Sequence, residues 1–473
     1  MTLLHGISVG GAGLALLVIA ILSARRPVPA LVVLLCLLPF HTGLVLVLRN
    51  WLGVGDLLVQ MAGAWKEAII AGLVVAAATR ARRSSLSPIA VLGLAFLAVV
   101  GLRMGLDVLR HDDLRQVLFG ARNISEFAVL VVAVAILRPD REALRVAAWT
   151  LVPIGALAAE IAIVVLAFGL PLYAVLYQNA AGTLGSAFLV QFSGEYHPRA
   201  AGTYISPNEF GLAMSTLLCA VIGPLWAEGH SRRLLAASAT IVGTALLLSY
   251  SRSAWLGLAV GSVTIGILLR HRLMHLRSAS GGLAADSRLR VGILAGAVIV
   301  GILAVSTRAA AFLVATLRGI EPSAAGRPES LSNGLAVFLH TPLGLGLGSA
   351  GPKAIGLDPS AILTENWYLV NGIQLGWAGL LVLVLLAGTT SAILVRRVRV
   401  AASEDGPLAY GPRLAAGALA ALVAALIGGL VIPAFLDLPG SLTIWALAVA
   451  AAHLPERSLE PPPATHAPRS TDA

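Results

Sequence analysis

Residues 28–48 read VPALVVLLCLLPFHTGLVLVL, a stretch of 21 residues without Asp, Glu, Lys or Arg. About 20 apolar residues, in a helix that rises 1.5 Å per residue, cross the hydrocarbon layer of a membrane. The stretch therefore predicts a membrane-spanning helix. The same pattern recurs along the chain and gives thirteen candidate spans, at residues 7–22, 28–48, 64–78, 88–106, 124–137, 146–170, 206–226, 234–250, 253–269, 291–307, 367–395, 414–432 and 441–453.

Three of these blocks, 64–78, 124–137 and 441–453, are short, so twelve spans is the alternative count. Of the 473 residues, 58% are hydrophobic and only 12% are charged, whereas about 25% are charged in a soluble domain. This composition excludes a soluble enzyme, a disordered protein and a protein with one anchor. We predict an all-α polytopic transmembrane bundle over residues 1–454, followed by a disordered cytoplasmic tail at 455–473.

The distribution of charge predicts the orientation, because cytoplasmic loops carry an excess of Lys and Arg. With thirteen spans, one alternate set of loops holds 21 cations and nine carboxylates, and the rest of the chain holds 12 cations and 14 carboxylates. The first set is predicted to be cytoplasmic, with the N-terminus outside and the C-terminus inside. The net charge of +10 is explained by cationic loops on the cytoplasmic side of the membrane, next to the membrane lipids, so no nucleic-acid partner is expected.

Two long segments, 171–205 and 308–366, are then predicted to be extracytoplasmic. Structureless loops longer than about 12–15 residues are uncommon unless they are functional or disordered. The second segment is too apolar for disorder, and residues 309–317 and 331–339 have the pattern of short helices at the membrane surface. Because the elaborate parts lie on one face, we expect the chemistry at that face.

The first candidate site is the sequence HPRAAGTYISPNE at residues 197–209. Ser206 is predicted to cap a helix that starts at Pro207, with Glu209 closing a capping box. The N-terminus of a helix offers free N–H groups and a positive dipole end to an anion. Two interpretations of Arg199 stay open: a ligand for an anion, or a surface residue in contact with lipid headgroups.

The second candidate site is the sequence SYSRS at residues 249–253, a tight turn between two apolar blocks. Arg252 has almost no loop to swing it into water, and a guanidinium held at the membrane surface suits bidentate contact with a phosphate. The turn also has a plainer interpretation, because backbone groups at a junction of spans need polar partners.

The third candidate site lies in the second outer segment. It starts at Gly326 and Arg327, continues through HTPLGLGLG at residues 340–348, and ends in ENWYL at residues 365–369. The glycines permit close approach of the backbone or a positive φ, as they also do in an ordinary re-entrant turn. Glu365 is a carboxylate at the mouth of an apolar helix, where it is either a functional group or a helix-end charge.

These three stretches, in this order, resemble the O-antigen ligase and polysaccharide polymerase family of membrane glycosyltransferases. The family has an Arg ahead of a Gly and a Pro-Asn pair, a Ser-x-Ser-Arg turn, a Gly-Arg, a Pro with spaced glycines, and a helix that opens with His-Asn-x-Tyr-Leu. This chain departs in one place, since Glu365 stands where the family usually has His. The matching residues, between about 199 and 379, are Arg199, Gly202, Pro207, Asn208, 249–252, Gly326, Arg327, Pro342, Gly346, Gly348 and 365–369.

The resemblance implies transfer of a glycan from a polyprenyl-diphosphate carrier to a hydroxyl of a glycan or lipid acceptor, on the outer face of the cytoplasmic membrane. It implies that Arg199 and Arg252 stabilise the leaving diphosphate in place of a metal, and that Glu365 is the catalytic base. No cofactor and no metal are expected, because no cytoplasmic loop has Asp-x-Asp and no cluster has zinc spacing. Substrate-binding roles are expected for Arg327, Asn366, Tyr368 and Asn208.

Two other classes of function stay open from the sequence. A secondary transporter or export protein of the cell envelope also has 12 to 13 spans, and Glu160, well inside its apolar block, is the candidate carboxylate for it. A scaffold for an envelope complex is the third class. The lack of an internal repeat and the outer position of the unusual polar groups favour the glycosyltransferase.

Overall fold

A computed structural model of the chain describes residues 2–81, 85–178, 188–192, 195–222, 225, 231–279, 327–402, 410–432 and 438–454. Seven of the described helices are long and apolar enough to cross a membrane, and five shorter apolar helices accompany them. The polytopic all-α bundle predicted from the sequence is therefore confirmed. The predicted span 291–307, the predicted helix 309–317 and the predicted tail 455–473 lie outside the described residues.

The first half of the described chain contains eight helices and a hairpin. They are α1 (Thr2–Arg25), α2 (Pro27–Leu46), α3 (Asp56–Gly63), α4 (Trp65–Ala81), α5 (Pro88–Leu109), α6 (Leu114–Leu137), α7 (Arg141–Ala167), α8 (Leu170–Tyr177), β1 (Leu189–Phe192) and β2 (Glu195–Pro198). The second half contains α9 (Pro207–Leu217), α10 (Arg232–Leu248), α11 (Arg252–Ala279), α12 (Arg327–His340), α13 (Pro352–Ile355), α14 (Trp367–Ala402), α15 (Tyr410–Gly428) and α16 (Leu438–Ala452).

Two apolar blocks that are short in the sequence belong to helices of full length. The block 64–78 lies in α4, which together with α3 forms a candidate span of 26 residues, Asp56–Ala81. The block 124–137 is the C-terminal part of α6, whose 24 residues begin at Leu114. The first turns of α6 contain Gln116 and Arg122, and such polar residues lower the hydropathy of that part of the span.

The two segments that are predicted to be extracytoplasmic contain structure that the sequence did not indicate. Between α8 and α9 the chain forms a two-stranded antiparallel hairpin in which Val190 pairs with His197, and no strand was predicted there. Helix α12 covers the predicted helix 331–339, which is therefore confirmed as a helix. Its position at a membrane surface stays a prediction.

An aromatic cluster at the centre of the bundle holds the start of α14. Phe127 of α6 stacks on Trp445 of α16 with ring centroids 5.5 Å apart, and meets Trp367 edge-on at 6.3 Å. Such pairs add about 0.5–1.5 kcal/mol each beyond the area they bury. All three rings are buried. The residue that begins α14 is therefore fixed in the core, two positions after Glu365.

Candidate active site

Arg199 is a buried residue tied to the turn that follows α10. Its Nε donates to the main-chain oxygen of Ser249 at 2.9 Å, and its Nη2 donates to the oxygen of Tyr250 at 3.4 Å. The same Nη2 donates to Oδ1 of Asn208 at 2.6 Å, on the first turn of α9. Only 7% of Arg199 is exposed, so the alternative of a surface arginine among lipid headgroups is wrong.

The backbone around Arg199 rests on two tyrosines of α8. The hydroxyl of Tyr173 donates to the main-chain oxygen of Arg199, and that of Tyr177 donates to the oxygen of Gly202. Burial raises the pKa of both phenols, so both stay protonated donors at any physiological pH. The segment from Arg199 to Gly202 is therefore held on α8 by hydrogen bonds from two neutral phenols.

The serines of the 249–253 turn stabilise the turn itself. The Ser249 hydroxyl donates to the oxygen of Leu246 at 2.6 Å and accepts from the N–H of Ser251 at 3.2 Å. The hydroxyls of Ser251 and Ser253 lie 3.2 Å apart. These bonds support the left-handed backbone of Tyr250, whose φ is 48°. Arg252 follows at once as the first residue of α11, half-buried.

Helix α9 begins as the sequence predicted and lies directly against this turn. The Ser206 hydroxyl accepts from the N–H of Glu209 at 3.2 Å, so the predicted cap by Ser206 is confirmed, and the same hydroxyl lies 3.4 Å from the Glu209 carboxylate. A Cβ on Gly211 would lie 2.8 Å from both Ser249 Oγ and Ser251 Cβ. Only a residue without a side chain allows α9 to approach so closely. The first two candidate stretches thus form one structural unit.

Glu365 directly precedes a helix whose start is anchored on α15. The Asn366 side chain caps α14, since its Oδ1 accepts from the N–H of Leu369 at 3.0 Å. Its Nδ2 donates to the main-chain oxygen of Leu430 at 2.9 Å. Glu365 itself is half-buried. The amide of Asn366 is thus engaged with the protein at both ends, and its substrate-binding role stays a prediction.

The next two residues add bonds to the same end of α15. The N–H of Trp367 donates to the oxygen of Gly429 at 2.8 Å, and the Tyr368 hydroxyl donates to the oxygen of Leu426 at 2.9 Å. The Tyr368 hydroxyl therefore has a protein partner, and its predicted contact with substrate stays untested. These bonds fix the main chain beside Glu365.

Arg252 lies toward the same end of α15 as Glu365. Helices α11 and α15 pack closely, because a Cβ on Gly257 would lie 3.1 Å from the main-chain oxygen of Ala424. Arg252 is five residues before Gly257, and Gly429, which binds the N–H of Trp367, is five residues after Ala424. The arginine turn and the glutamate segment therefore border one end of one helix.

Two further predicted residues are Arg327 and Glu160. Arg327 is the first residue of α12, and its side chain lies outside the described part of the structure. Its role stays a prediction. Glu160, the candidate carboxylate of a transporter, is exposed on α7.

The glycine series at 342–348 interlocks with a break in α14. Gly344, Gly346 and Gly348 all have positive φ, and so does Gly376, where α14 loses its helical geometry. The N–H of Leu345 donates to the oxygen of Ile373 at 2.7 Å. In return, the N–H of Trp377 donates to the oxygen of Pro342 at 2.9 Å. The glycines of this motif thus permit two backbones to meet.

A buried ion pair holds this loop against α5. The pair was not predicted from the sequence. Arg103 and Asp107 are 3% and 0% exposed and lie 2.7 Å apart. Arg103 Nη1 donates to the oxygens of Leu343 and Gly344 at 2.8 and 3.1 Å, and Asp107 Oδ2 accepts from the N–H of Leu347 at 2.8 Å. The available signal was an Arg and an Asp four residues apart at the end of an apolar block.

The described residues contain no group of three or more His, Cys, Asp or Glu side chains placed to hold a metal ion. The candidate active site is instead built from arginines and one carboxylate. Whether the reaction proceeds without a metal stays a prediction.

Comparison with known families finds a match over part of the chain. A family model described as O-antigen ligase matches residues 236–384, which include Arg252, Arg327, the glycine series and Glu365. The chain carries an O-antigen ligase domain. The resemblance drawn from the motifs is thereby confirmed over these residues, and the domain together with the candidate membrane spans supports a multi-pass membrane protein of polysaccharide biosynthesis. No curated protein matches the chain.

The O-antigen ligase domain does not include the whole of the candidate site. Both Arg199 and Asn208 precede the matched residues. Arg199 donates to the main-chain oxygens of Ser249 and Tyr250 within the domain, and Asn208 accepts from Arg199. The segment before the domain thus contributes two residues to the candidate site.

Proposed function

We propose that the protein transfers a glycan from a polyprenyl-diphosphate carrier to an acceptor hydroxyl on the outer face of the cytoplasmic membrane. The O-antigen ligase domain supports glycan transfer in general. The donor, the acceptor and the face of the membrane belong to the proposal. The excess of cations in the alternate loops supports the choice of face.

The main support for the proposal is the set of hydrogen bonds between Arg199 and the turn that contains Arg252. Arg199 binds the oxygens of Ser249 and Tyr250, and Arg252 follows two residues later. The Arg199 side chain is therefore fixed on the main chain of the turn that carries Arg252, without a free loop between the two residues. Preorganised cations of this kind stabilise the charge that develops on a leaving diphosphate.

The reaction that we propose is a displacement at the anomeric carbon. The acceptor oxygen forms a bond to this carbon while the bond from the carbon to the diphosphate oxygen breaks, and the diphosphate leaves with the electron pair. The proton of the acceptor hydroxyl passes to the Glu365 carboxylate. Arg199 and Arg252 receive the negative charge of the leaving carrier, and no metal takes part.

The alternative of a secondary transporter has less support. Its candidate carboxylate, Glu160, is exposed, whereas carboxylates that serve transport face the bundle interior or a water-filled cavity. The interlocked outer loops also differ from the midplane sites that transporters use.

The experiment that tests the proposal measures transfer by the purified full chain in nanodiscs, with a synthetic polyprenyl-diphosphate glycan as donor. Arg252→Ala is expected to raise the donor KM about tenfold or more, because a hydrogen bond to a charged group contributes about 1.5–3 kcal/mol. Arg233→Ala, an exposed arginine at the other end of α10, is the matched control. Equal donor KM values for the two variants contradict the proposal, and donor-driven flux without transfer identifies a transporter.

A further inference from the structure

A network of charged side chains lies inside the bundle, away from the arginine turn. Lys66 of α4 is fully buried, and its Nζ lies 2.5 Å from Oε1 of Glu126 on α6 and 2.8 Å from Oε1 of Glu67. Arg122 of α6 donates to the same oxygen of Glu67. Glu126 lies halfway along α6. The network thus joins two candidate spans.

Three buried polar atoms in and beside the network make no hydrogen bond within the described part of the chain. Oε2 of Glu67, Oε2 of Glu126 and Nδ1 of His41 are buried and have no hydrogen-bond partner among the described residues. The His41 ring meets the Trp65 ring edge-on, with centroids 5.8 Å apart. Buried polar atoms normally have partners, and unmet acceptors in a cluster indicate a ligand rich in donors.

The network is open toward the outer segment. The side chains of Arg122 and Glu67 are 50% and 31% exposed, and charged groups within spans face the bundle interior or a water-filled cavity. The α13 loop is held over α6, since Gln116 Nε2 donates to the oxygen of Gly348 at 3.1 Å.

We propose that His41, Glu67, Arg122 and Glu126 form a subsite for the hydroxyl groups of the acceptor glycan, with Lys66 as the positioning residue. Sugar hydroxyls donate to carboxylate oxygens and accept from a guanidinium, and the Trp65 ring supplies an apolar wall beside them. Two carboxylates offset the two cations, so the network suits a neutral sugar better than a diphosphate. The proposal rests on glycan transfer as the function of the protein.

Binding without transfer tests the subsite by itself. The purified full chain in nanodiscs is titrated with neutral methyl glycosides (methyl glucoside, mannoside and rhamnoside), followed by saturation-transfer NMR. At least one glycoside is expected to bind, and Glu67→Gln and Arg122→Gln are expected to weaken it about tenfold or more. Both side chains are partly exposed, so these variants fold more readily than changes at the fully buried Lys66. Glu160→Gln is the matched control, a carboxylate exposed on α7 that leaves binding unchanged.

The outcomes separate the subsite from the function on which it rests. Binding that Glu67→Gln and Arg122→Gln weaken, in a chain that transfers no glycan, supports the subsite and rejects the transferase. Normal transfer with an acceptor KM within twofold of the wild type in both variants overturns the subsite alone. Binding of inorganic pyrophosphate that Arg122→Gln abolishes, without binding of any glycoside, also overturns the proposal, because it identifies an anion site.

Discussion

Nη2 of Arg199 lies 2.6 Å from Oδ1 of Asn208. This bond joins the extended chain after β2 to the first turn of α9, so the orientation of the guanidinium depends on the start of that helix. Its other bonds go to the main chain of the turn before Arg252. Asn208 therefore orients the guanidinium of Arg199, in addition to its predicted contact with substrate.

Two substitutions of Asn208 separate the orientation of the Arg199 guanidinium from its positive charge. Asn208→Ala removes one hydrogen bond to a charged group and is expected to lower kcat/KM about tenfold. Asn208→Asp keeps the bond but offsets the cation, so it is expected to raise the donor KM further than Ala does. Steady-state kinetics with varied donor measure both. A donor KM for Asn208→Asp at or below that of the wild type contradicts a phosphate-binding role of Arg199.

The predicted orientation has a direct test by cysteine labelling. Ser360, in the outer segment, and Ser231, before α10, are both exposed. In intact cells, an impermeant thiol reagent is expected to label Ser360→Cys and not Ser231→Cys. The native Cys36 and Cys219 are buried, so background labelling is low. The reverse pattern rejects an outer active site, because the glutamate segment then faces the cytoplasm.

Metal independence follows from the proposed use of arginines for the leaving diphosphate. Transfer by the purified chain is expected to continue at an unchanged rate after treatment with EDTA. Loss of activity that Mg²⁺ or Mn²⁺ restores means that a metal supplies the stabilisation that we assign to Arg199 and Arg252.

The interlock between the glycine loop and α14 predicts an unequal response of two glycines in one helix. Gly376 has a φ of 73°, and a Cβ there would lie 2.3 Å from the oxygen of Pro342, whereas a Cβ on Gly388 meets nothing within 4 Å. A residue other than Gly held in such a backbone conformation costs about 1–3 kcal/mol. Gly376→Ala is therefore expected to lower the free energy of unfolding by at least about this amount. Gly388→Ala is the control.

Thermal unfolding of the purified variants measures this difference. Gly388→Ala is expected to be neutral or to stabilise by up to about 1 kcal/mol, because Ala is favoured over Gly inside a helix. Gly376→Ala with the Tm of the control means that the loop and the broken helix do not interlock.

Short-range patterns were sufficient to predict much of this architecture. Hydropathy located the spans, and the Ser206 cap and the 249–253 turn were readable because each depends on residues within a few positions. The resemblance then joined the candidate stretches, and the O-antigen ligase domain at residues 236–384 includes the second and third of them. Side-chain roles in binding and catalysis stay predictions.

Other features depend on partners distant in the chain. Arg103 binds main-chain oxygens 240 residues away, and Lys66 pairs with a carboxylate 60 residues away. A hydropathy window averages such charges into an apolar block, so it detects the span and misses the pair. The glycine series was correctly read as a place of close approach, but its partner, the break at Gly376, has no signal in the local sequence.

Glu365 stands where the family that the chain resembles usually has His. It occupies the residue before the capping Asn366, and the bonds of Asn366 and Trp367 to the end of α15 hold its main chain in place. General-base catalysis typically contributes about 10²–10⁴-fold. Glu365→Gln keeps the shape and removes the basicity, so kcat is expected to fall by that factor while the donor KM changes little.

Two further variants decide whether Glu365 acts as the base. Glu365→His is expected to retain part of the activity, because imidazole can accept the proton from the same position. Glu329→Gln, an exposed carboxylate on α12 in the same outer segment, is the control and is expected to keep normal turnover. A Glu365→Gln variant with near-normal kcat rejects the assignment and leaves Glu365 as a helix-end charge. In that case the arginines alone carry the proposed chemistry, and the acceptor must lose its proton to another group.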